Sequence, residues 1–332
     1  MMDITDVKVR GMYVFSQDYK YRYGDFFDRV DLLNKGLAET ANREKAKNYI
    51  KEFREKFKNP DNADDVVKKK TWKQILRHEL SPYYQILKWY FKKQENYVES
   101  TGITVDYRPP RILLRDHYYN KVYTKAANKF PYYPFDKVGK FVYFPLQFQP
   151  EAQIDVVAPF FSNQIETARQ TAMSLPGDYT LVVKEHPAMV GLRPPSYWEK
   201  IARTVNVKFI DYRISGEEVL KRADLVISPN STTLAEAAFL KKPAIQLGDL
   251  GITLKLPNVF KHSDMTTMSS KIKELLMADL NNADYERKLE NFVASAYDTG
   301  FNLQYIQMWE EGKGNVEELW PIYKKEIEHI FS

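Results

Sequence analysis

The fold is decided by residues 179–248, which read YTLVVKEHPAMVGLRPPSYWEKIARTVNVKFIDYRISGEEVLKRADLVISPNSTTLAEAAFLKKPAIQLG. Four short runs in this stretch are rich in residues that favour strands, and each run ends in a polar cluster or at a glycine. Helical patterns lie between the runs. Strands that alternate with helices predict a parallel sheet, whose ligands bind beyond the carboxyl ends of its strands. With one more strand upstream, the predicted strands are 141–144, 182–183, 207–210, 225–227 and 244–247.

Composition limits the classes of protein that fit. The chain has 332 residues, of which 44% are hydrophobic and 28% charged, as in an ordinary globular protein. Its net charge of +5 suits a phosphorylated ligand, an anionic polymer or an acidic membrane surface. That charge is too small, and too evenly spread along the sequence, to predict nucleic acid as a partner. Without cysteine the chain has no disulfides, zinc thiolates or thiol nucleophiles.

The sequence predicts a cytoplasmic location, or a peripheral one at the inner face of the membrane. No apolar run approaches the roughly 20 residues that span a bilayer. The first residues, MMDITDVKVRG, lack the apolar centre of a signal peptide. Basic helices with aromatic residues in the first half of the chain suit a membrane face, a partner protein or an anionic acceptor.

Residues 1–137 read as a mainly helical N-terminal region, and residues 138–332 as a Rossmann-like domain closed by C-terminal helices. The N-terminal region combines a strand at 12–15 with helical patterns at 26–57, 65–93 and 111–129, the second interrupted at Ser81-Pro82. Trp72, Ile75, Leu76 and the apolar residues of 84–90 predict a packed face. In the second domain, helices are predicted from Ser162 or Asn163 as N-cap to before Pro176, and at 267–279, 283–297 and 316–331.

Several catalytic motifs are missing from the sequence. It contains no phosphate-binding P-loop, GxGxxG fingerprint, GxSxG elbow, HExxH helix or EF-hand loop. Its five histidines show no metal-ligand spacing. These absences disfavour dinucleotide oxidoreduction, P-loop hydrolysis and zinc hydrolysis. We expect neither a metal site nor a bound cofactor.

The first candidate site is Lys184-Glu185-His186-Pro187, where a predicted strand ends. A histidine at this edge can donate a hydrogen bond to a phosphate, or act as general acid toward a leaving group. It can equally be a strand-end histidine that bonds only to backbone. The residues themselves leave both interpretations open.

The second candidate site runs from Ser228 through Asn230, Ser231, Thr232 and Thr233. Hydroxyl residues at a helix start cap its free N–H groups, and the same end of a helix binds anions. Simple capping and phosphate binding are therefore both consistent with this stretch, and three successive hydroxyls favour a ligand. Glu236 either closes a capping box with Thr233 or accepts the hydroxyls of a ribose.

Three segments together resemble the capsule polysaccharide synthesis glycosyltransferases, which are GT-B proteins related to Kdo transferases and to HP-motif sialyltransferases. The segments are FVYFPLQFQPEA, SLPGDYTLVVKEHPAMVGLRP and DLVISPNSTTLAEAAFLKKPAIQLGD. They fall between residues 141 and 269, in the order and at the spacing of that family.

The resemblance implies a metal-independent transferase that binds a nucleotide-sugar, commonly a CMP-sugar, with its Rossmann-like domain. His186 would be the catalytic residue, and Ser231, Thr232 and Thr233 would hold the donor phosphate. Glu236 would lie near the ribose. Lys184 and Arg193 would assist, and Glu185, Ser228 and Asn230 complete the predicted donor-binding set.

Two departures from the family pattern leave alternatives open. Asn230 stands where the family has a small residue, and residues 1–137 do not read as the second Rossmann-like domain of a GT-B enzyme. Glu151, Asp155 and Asp116 are polar candidates for a catalytic base, with structural roles as the competing interpretation. The predicted function is transfer of a sugar to a surface polysaccharide or glycolipid. The alternatives are a non-catalytic nucleotide-sugar-binding module, the C-terminal part of a larger transferase, and an epimerase or polyol-phosphate transferase of the same fold.

Overall fold

The computed structural model describes residues 2–17, 23–57, 71–91, 109–302, 317 and 319–331. Its larger sheet contains β3 (Phe141–Pro145), β4 (Thr180–Lys184), β5 (Val207–Ile210), β6 (Leu225–Ser228), β7 (Ala244–Gln246) and β8 (Val259–Lys261). A smaller sheet contains β1 (Met2–Asp6), β2 (Met12–Gln17) and β9 (Phe301–Asn302). The five sheet strands predicted for the α/β domain and the strand at 12–15 are thus confirmed. Strands β1, β8 and β9 were not predicted.

All neighbouring strands of the larger sheet are parallel, in the order β5-β4-β3-β6-β7-β8. Val142 of the central strand β3 pairs with Leu181 on one side and with Leu225 on the other. Read in chain order, this is the 3-2-1-4-5-6 arrangement of doubly wound nucleotide-binding folds. The direction of winding reverses between β3 and β6, so a ligand crevice is expected beyond the carboxyl ends of these two strands.

Helices cover both faces of the larger sheet. The helices of the α/β domain are α5 (Ala152–Asp155), α6 (Gln164–Met173), α7 (Pro195–Ala202), α8 (Gly216–Arg222), α9 (Thr232–Phe239), α10 (Met268–Leu276) and α11 (Ala283–Thr299). Apolar residues of α6, α7 and α10 pack on one face, against Val142 and Phe144. Residues of α8 and α9 pack on the other, against Phe141 and Tyr143. The predicted α/β class with a Rossmann-like parallel sheet is confirmed.

The helical pattern at 26–57 forms two helices and not one, α1 (Gly24–Asn34) and α2 (Arg43–Lys56). Gly36 has a φ of 69° and lies in the left-handed region, which ends α1. The amides of Gly36 and Leu37 donate to the carbonyls of Leu33 and Leu32, as in a Schellman motif. The step of nine residues from Leu37 to Ala46 moves the apolar positions to the opposite side of a continuous helix, so the sequence carried a signal of this stop that the prediction missed.

The second helical pattern forms α3 (Trp72–Phe91), which continues through Pro82. The predicted interruption is wrong, because a helix can tolerate the loss of one backbone hydrogen bond when its other turns remain intact. The predicted packed face is also wrong, since Trp72, Ile75 and Leu76 are all exposed. Residues 65–70 and 92–93 of the pattern lie outside the described residues. Helix α4 (Pro110–Lys129) follows, as predicted.

The N-terminal elements share a core with the α/β domain. Phe26 of α1 contacts Phe292 of α11 edge-to-face, with ring centroids 5.2 Å apart. Phe53 of α2 contacts Phe239 of α9 at 4.4 Å. The Arg54 side chain also donates to the Phe239 carbonyl at 2.8 Å. The N-terminal region and the α/β domain are thus packed together. The boundary at residue 137 stays a prediction that residues 138–332 form a domain of their own.

The last described helix is α12 (Leu319–Phe331), within the predicted helix at 316–331. Residues 316 and 318 of that prediction lie outside the described residues. In the part of the chain that the structure describes, no helix has the length and apolar character needed to cross a membrane.

Candidate functional site

A cavity of about 110 Å³ lies at the crevice between β3 and β6, where the winding of the sheet reverses. Residues at the ends of β3 and β4, at the start of α8 and at the start of α9 line it. Both candidate sites of the sequence therefore meet here, although about 45 residues separate them along the chain. The lining residues are Tyr143, Pro145, Leu146, Gln147, Lys184, Glu185, His186, Pro187, Gly216, Ser231 and Thr233.

His186 follows β4 and caps a short 3-10 turn, Pro187–Met189. Its Nδ1 accepts the Ala188 N–H at 3.2 Å. A neutral imidazole that accepts at Nδ1 carries its proton on Nε2, so the ring offers an N–H donor on its opposite side. The Phe148 ring lies edge-on to it, with ring centroids 6.1 Å apart. The backbone hydrogen bond expected of a structural histidine is present, but it uses only Nδ1. Nε2 can therefore still bind a ligand.

The pKa of His186 is lowered, first by desolvation and then by the positive charges of Lys184 and Arg193. The His186 residue is nevertheless exposed to solvent, so this desolvation is partial. The lowered pKa keeps the imidazole neutral at pH 7, because its ordinary value of 6.5 is already below that pH. His186 thus enters the site as a hydrogen-bond donor without a full positive charge.

Glu185 is buried beneath the His186 turn, with only 1% of its surface exposed. Its carboxylate accepts from Arg193 Nη1 at 2.7 Å, from Trp198 Nε1 at 2.8 Å and from the His186 amide at 2.7 Å. Arg193 Nη2 also donates to the Gln147 carbonyl at 2.6 Å. The side chains of Glu185 and Arg193 thus bind other protein groups and hold the ends of β3 and β4 together, while their part in donor binding stays a prediction.

Gln147, just beyond β3, is a lining residue that the sequence analysis missed. Its amide donates to Gln164 Oε1 at 2.6 Å, and its side chain donates to Ser228 Oγ at 3.2 Å. Ser228 is fully buried, so its hydroxyl supports Gln147 and does not reach a ligand. Gln147 belongs to the segment PLQFQPE, which contributed to the family resemblance, but no residue of that segment was assigned to the site.

The serine-threonine segment forms the start of α9, as the sequence predicts. Ser231 is the N-cap, and its Oγ accepts the Thr233 N–H at 3.2 Å. Ser231 and Thr233 line the cavity, and Thr232 is the first helical residue. The predicted capping box between Thr233 and Glu236 is wrong. It would need Thr233 as the N-cap, whereas the N-cap is Ser231, two residues earlier. Glu236 lies within α9 and is buried.

Asn230 is also turned inward. Its Nδ2 donates to Gln153 Oε1 at 2.6 Å, and its Oδ1 accepts from Thr253 at 3.4 Å. Gly251 has a φ of 134°, and a Cβ at that position would lie 3.0 Å from Asn230 Oδ1. The contacts that Asn230 makes are thus internal, and they fix the turn between β6 and α9.

Lys184 brings a buried amine to the cavity wall. Its Nζ is 3.4 Å from the Tyr212 carbonyl. Burial lowers the pKa of Lys184, while the negative charges of Glu236, Glu185 and Asp211 oppose that change. The pKa of Lys184 remains lowered, so the three carboxylates offset only part of the desolvation of its ammonium.

The three carboxylates considered as bases do not share one position. Asp155 accepts from the Gln149 side chain at 2.8 Å and from the Glu151 amide at 3.0 Å, which gives it a structural role. Asp116 lies on α4 and pairs with Arg115 at 2.8 Å. Glu151 is exposed. None of the three lines the cavity.

The lining can receive a small anion. Nε2–H of His186, the hydroxyls of Ser231 and Thr233, and the first turn of α9 all supply donors or positive potential at one cavity. Its volume is well below the 300 Å³ at which drug-sized pockets begin, so it accommodates a group of phosphate size. Among the described residues, no cluster of three or more His, Asp or Glu side chains could hold a metal ion.

Comparisons with known proteins give partial matches. No family model matches the chain. It is 29% identical over 137 residues to Protein FixF of Sinorhizobium fredii, an alignment that covers 38% of this chain and 31% of FixF.

Among solved structures, the chain is similar to KpsC of Thermosulfurimonas dismutans, a β-Kdo 2,7 transferase. The TM-score is 0.36 at 14% identity, over 58% of this chain and 57% of that one. It is also similar to UDP-GlcNAc 2-epimerase of Methanocaldococcus jannaschii, with a TM-score of 0.35 at 17% identity, over 54% of this chain and 50% of that one. The alignments thus span about a third of FixF and little more than half of KpsC. The similarity to a Kdo transferase that the sequence motifs indicated is present over about half of the chain.

Proposed function

We propose that this protein is a glycosyltransferase that takes a sugar from a nucleotide-sugar and passes it to a surface polysaccharide or glycolipid. The observation that carries the proposal is the meeting of His186, Ser231 and Thr233 at one phosphate-sized cavity, at the reversal point of the sheet. The sequence resemblance to capsule glycosyltransferases supplies the reaction class, a CMP-sugar as donor and an acceptor of this kind.

In the proposed reaction an acceptor hydroxyl oxygen bonds to the anomeric carbon and releases its proton to solvent. The bond from that carbon to the donor phosphate oxygen breaks, and the nucleotide leaves with the electron pair. Negative charge then grows on the phosphate. Nε2–H of His186, the hydroxyls of Ser231 and Thr233 and the start of α9 oppose that charge. Lys184 adds positive potential from the wall of the cavity. Donors fixed before the reaction are effective, because they need no reorganisation while the charge develops.

The cavity volume sets how the donor would lie. A volume of about 110 Å³ holds a phosphate, whereas a whole nucleotide-sugar needs several times more. The nucleoside and the sugar would therefore extend from the cavity along the crevice. The resemblance implies a reaction without metal, so transfer should persist in the presence of a chelator.

The test is a thermal-shift comparison of CMP, CDP, UDP, GDP and their sugar conjugates. A ligand that binds the native state alone stabilises it by about 2.7 kcal/mol at a hundredfold excess over Kd. We expect a shift with cytidine nucleotides that disappears in His186→Ala. A shift with uridine nucleotides alone would retain the site and change the donor. Nucleotides that shift neither protein, or both equally, would contradict the assignment.

His262→Ala is the matched control. His262 directly follows β8, and its ring lies 3.0 Å from the Thr267 hydroxyl. Four strand spacings, roughly 19 Å, separate β8 from β4. The control removes an imidazole at the same edge of the sheet and should retain the nucleotide shift.

A second candidate function is a nucleotide-sugar-binding module that acts with a catalytic partner. It is favoured by the positions of Asp155 and Asp116, which form other contacts and do not line the cavity as a base would. This alternative predicts nucleotide binding without turnover. Sugar transfer by the purified chain, lost in His186→Ala, would reject it.

A further inference from the structure

Helix α3 exposes a continuous apolar stripe. Its six members are spaced by three or four residues and therefore lie on one side of the helix. Between 49% and 68% of the surface of each is exposed, whereas a stripe with this spacing normally faces a core. At 20 residues the helix is about 30 Å long, and the stripe extends along almost all of it. The members are Trp72, Leu76, Leu80, Tyr83, Leu87 and Tyr90.

Basic residues border this stripe. At 100° per residue, Lys73, Arg77 and Lys88 fall along one margin of it. Glu79 lies on the opposite margin, where its carboxylate pairs with Lys121 of α4 at 2.6 Å. Helix α3 thus packs on α4 through the side that carries Glu79 and the adjoining Tyr83, whose ring contacts His117 of α4 edge-on with centroids 6.0 Å apart. The rest of the apolar stripe and its basic margin lie on the remaining surface.

The charge of the protein is concentrated in this pair of helices. Helices α3 and α4 carry eight basic and two acidic residues, a net charge of +6, while the whole chain has a net charge of +5. The even spread of charge inferred from the sequence is therefore wrong at the level of elements. The rest of the chain sums to −1, although α2 alone carries a net charge of +3. Helices α3 and α4 therefore form one of at least two basic regions that attract anions.

We propose that the outer face of α3 and α4 binds the surface of an anionic phospholipid bilayer, with α3 lying in the interface. Leucine side chains would enter the acyl boundary, and Trp72 and Tyr90 would occupy the headgroup level that such rings prefer. The basic margin would face anionic headgroups. The basic residues beside the stripe favour an anionic bilayer over an apolar protein surface, because an apolar surface offers no negative charge for them to bind.

This surface is joined to the candidate site through α4. Gly191 has a φ of 91° and lies in the loop that begins at His186. A Cβ there would come within 2.5 Å of Asn120 and 2.7 Å of Thr124, both on α4. Bilayer binding would hold the His186 loop near the membrane, as a membrane-borne acceptor requires. The bilayer proposal itself does not depend on the proposed transferase function.

The test is co-sedimentation of the 332-residue chain with two kinds of vesicle. One kind is pure phosphatidylcholine, and the other contains equal parts of phosphatidylcholine and phosphatidylglycerol. No nucleotide is present, so failure of the proposed function leaves the result interpretable. We expect binding to the anionic vesicles alone, weakened by added salt. Failure to bind them, or equal binding to both kinds, would overturn the proposal.

Two pairs of variants separate charge from apolar contact. Lys73→Glu with Arg77→Glu should weaken binding by at least about tenfold. The control Lys47→Glu with Lys51→Glu makes the same change of net charge on α2 and should weaken binding by less than about twofold.

Trp72→Ala with Leu80→Ala should weaken binding. The control Phe160→Ala, which removes an exposed aromatic ring elsewhere, should not. Because these side chains are exposed, the variants should keep the melting temperature of the wild type. Lipid-free self-association lost in the Trp72 variant would assign the face to a second copy and reject the bilayer.

Discussion

At the residue scale, Gly191 decides how closely α4 approaches the loop that carries His186. Its φ of 91° is one that residues with a side chain rarely adopt, and its missing Cβ leaves room for Asn120 and Thr124. Gly191→Ala should lower the free energy of unfolding by about 1–3 kcal/mol, through backbone strain and steric overlap. Denaturant unfolding measures this change.

Gly177→Ala is the control for that substitution. Gly177 has no heavy atom within 4 Å of the position that a Cβ would occupy, and its φ lies outside the left-handed region. Its replacement should leave stability within about 0.5 kcal/mol of the wild type or raise it slightly. If both variants were equally stable, the packing of α4 on the loop would be weaker than the contacts indicate.

His186 should also make stability depend on pH. Its folded-state pKa is below the ordinary value of 6.5, so protons bind the unfolded chain more tightly. The contribution is therefore complete above pH 6.5 and is lost as pH falls through the folded-state pKa. Melting temperatures from about pH 8 to about pH 5 should fall more steeply for the wild type than for His186→Gln. Parallel curves for the two proteins would contradict the lowered pKa.

At the scale of elements, the buried Arg193–Glu185 pair joins the ends of β3 and β4 to α7. Removing one partner of such a pair leaves the other charge buried without compensation. Arg193→Ala should therefore cost about 3–5 kcal/mol of stability. It should also weaken nucleotide binding, because Glu185 holds the amide of His186. Chemical unfolding and the thermal-shift assay measure the two effects.

Lys221→Ala serves as the comparison for the buried pair. Lys221 pairs with Glu217 on the exposed side of α8, where solvent screens the interaction. Its removal should change stability by less than about 0.5 kcal/mol and leave nucleotide binding intact. An Arg193 variant as mild as this control would show that the buried pair does not position His186.

At the scale of the whole molecule, the N-terminal helices complete the core of the α/β domain. Phe53 and Phe239 meet across α2 and α9, and Phe26 and Phe292 meet across α1 and α11. Phe239→Ala should cost about 3–5 kcal/mol, because it opens a cavity that both regions line. In calorimetry the intact chain should unfold in one transition that moves as a whole in this variant.

Expression of residues 138–332 alone tests the same point. Without α1 and α2, buried residues of α9 and α11 would face water, including Phe239 and Phe292. The fragment should be insoluble or unfold without cooperativity. A soluble fragment with a sharp transition would establish residues 138–332 as an independent folding unit.

The sequence by itself determined five of the six strands of the parallel sheet, the hydroxyl-capped start of α9 and the polar end of β4. These follow from local chemistry: runs of β-branched residues form buried strands, and serine before a polar-to-apolar transition caps a helix. His186, Ser231 and Thr233 were found in this way, because each stands where an element begins or ends.

Only the tertiary structure decided which side chains face the cavity and which surfaces remain exposed. Glu185 lines the cavity, and Arg193 and Asn230 lie near it, yet all three are buried with protein partners. Sequence does not reveal side-chain direction beyond a strand end. The order of strands, which places two distant segments at one crevice, depends on crossovers that no local pattern specifies. The stripe of α3 was misassigned for the same reason: helical spacing tells which residues share a face, and packing alone determines whether another element covers it.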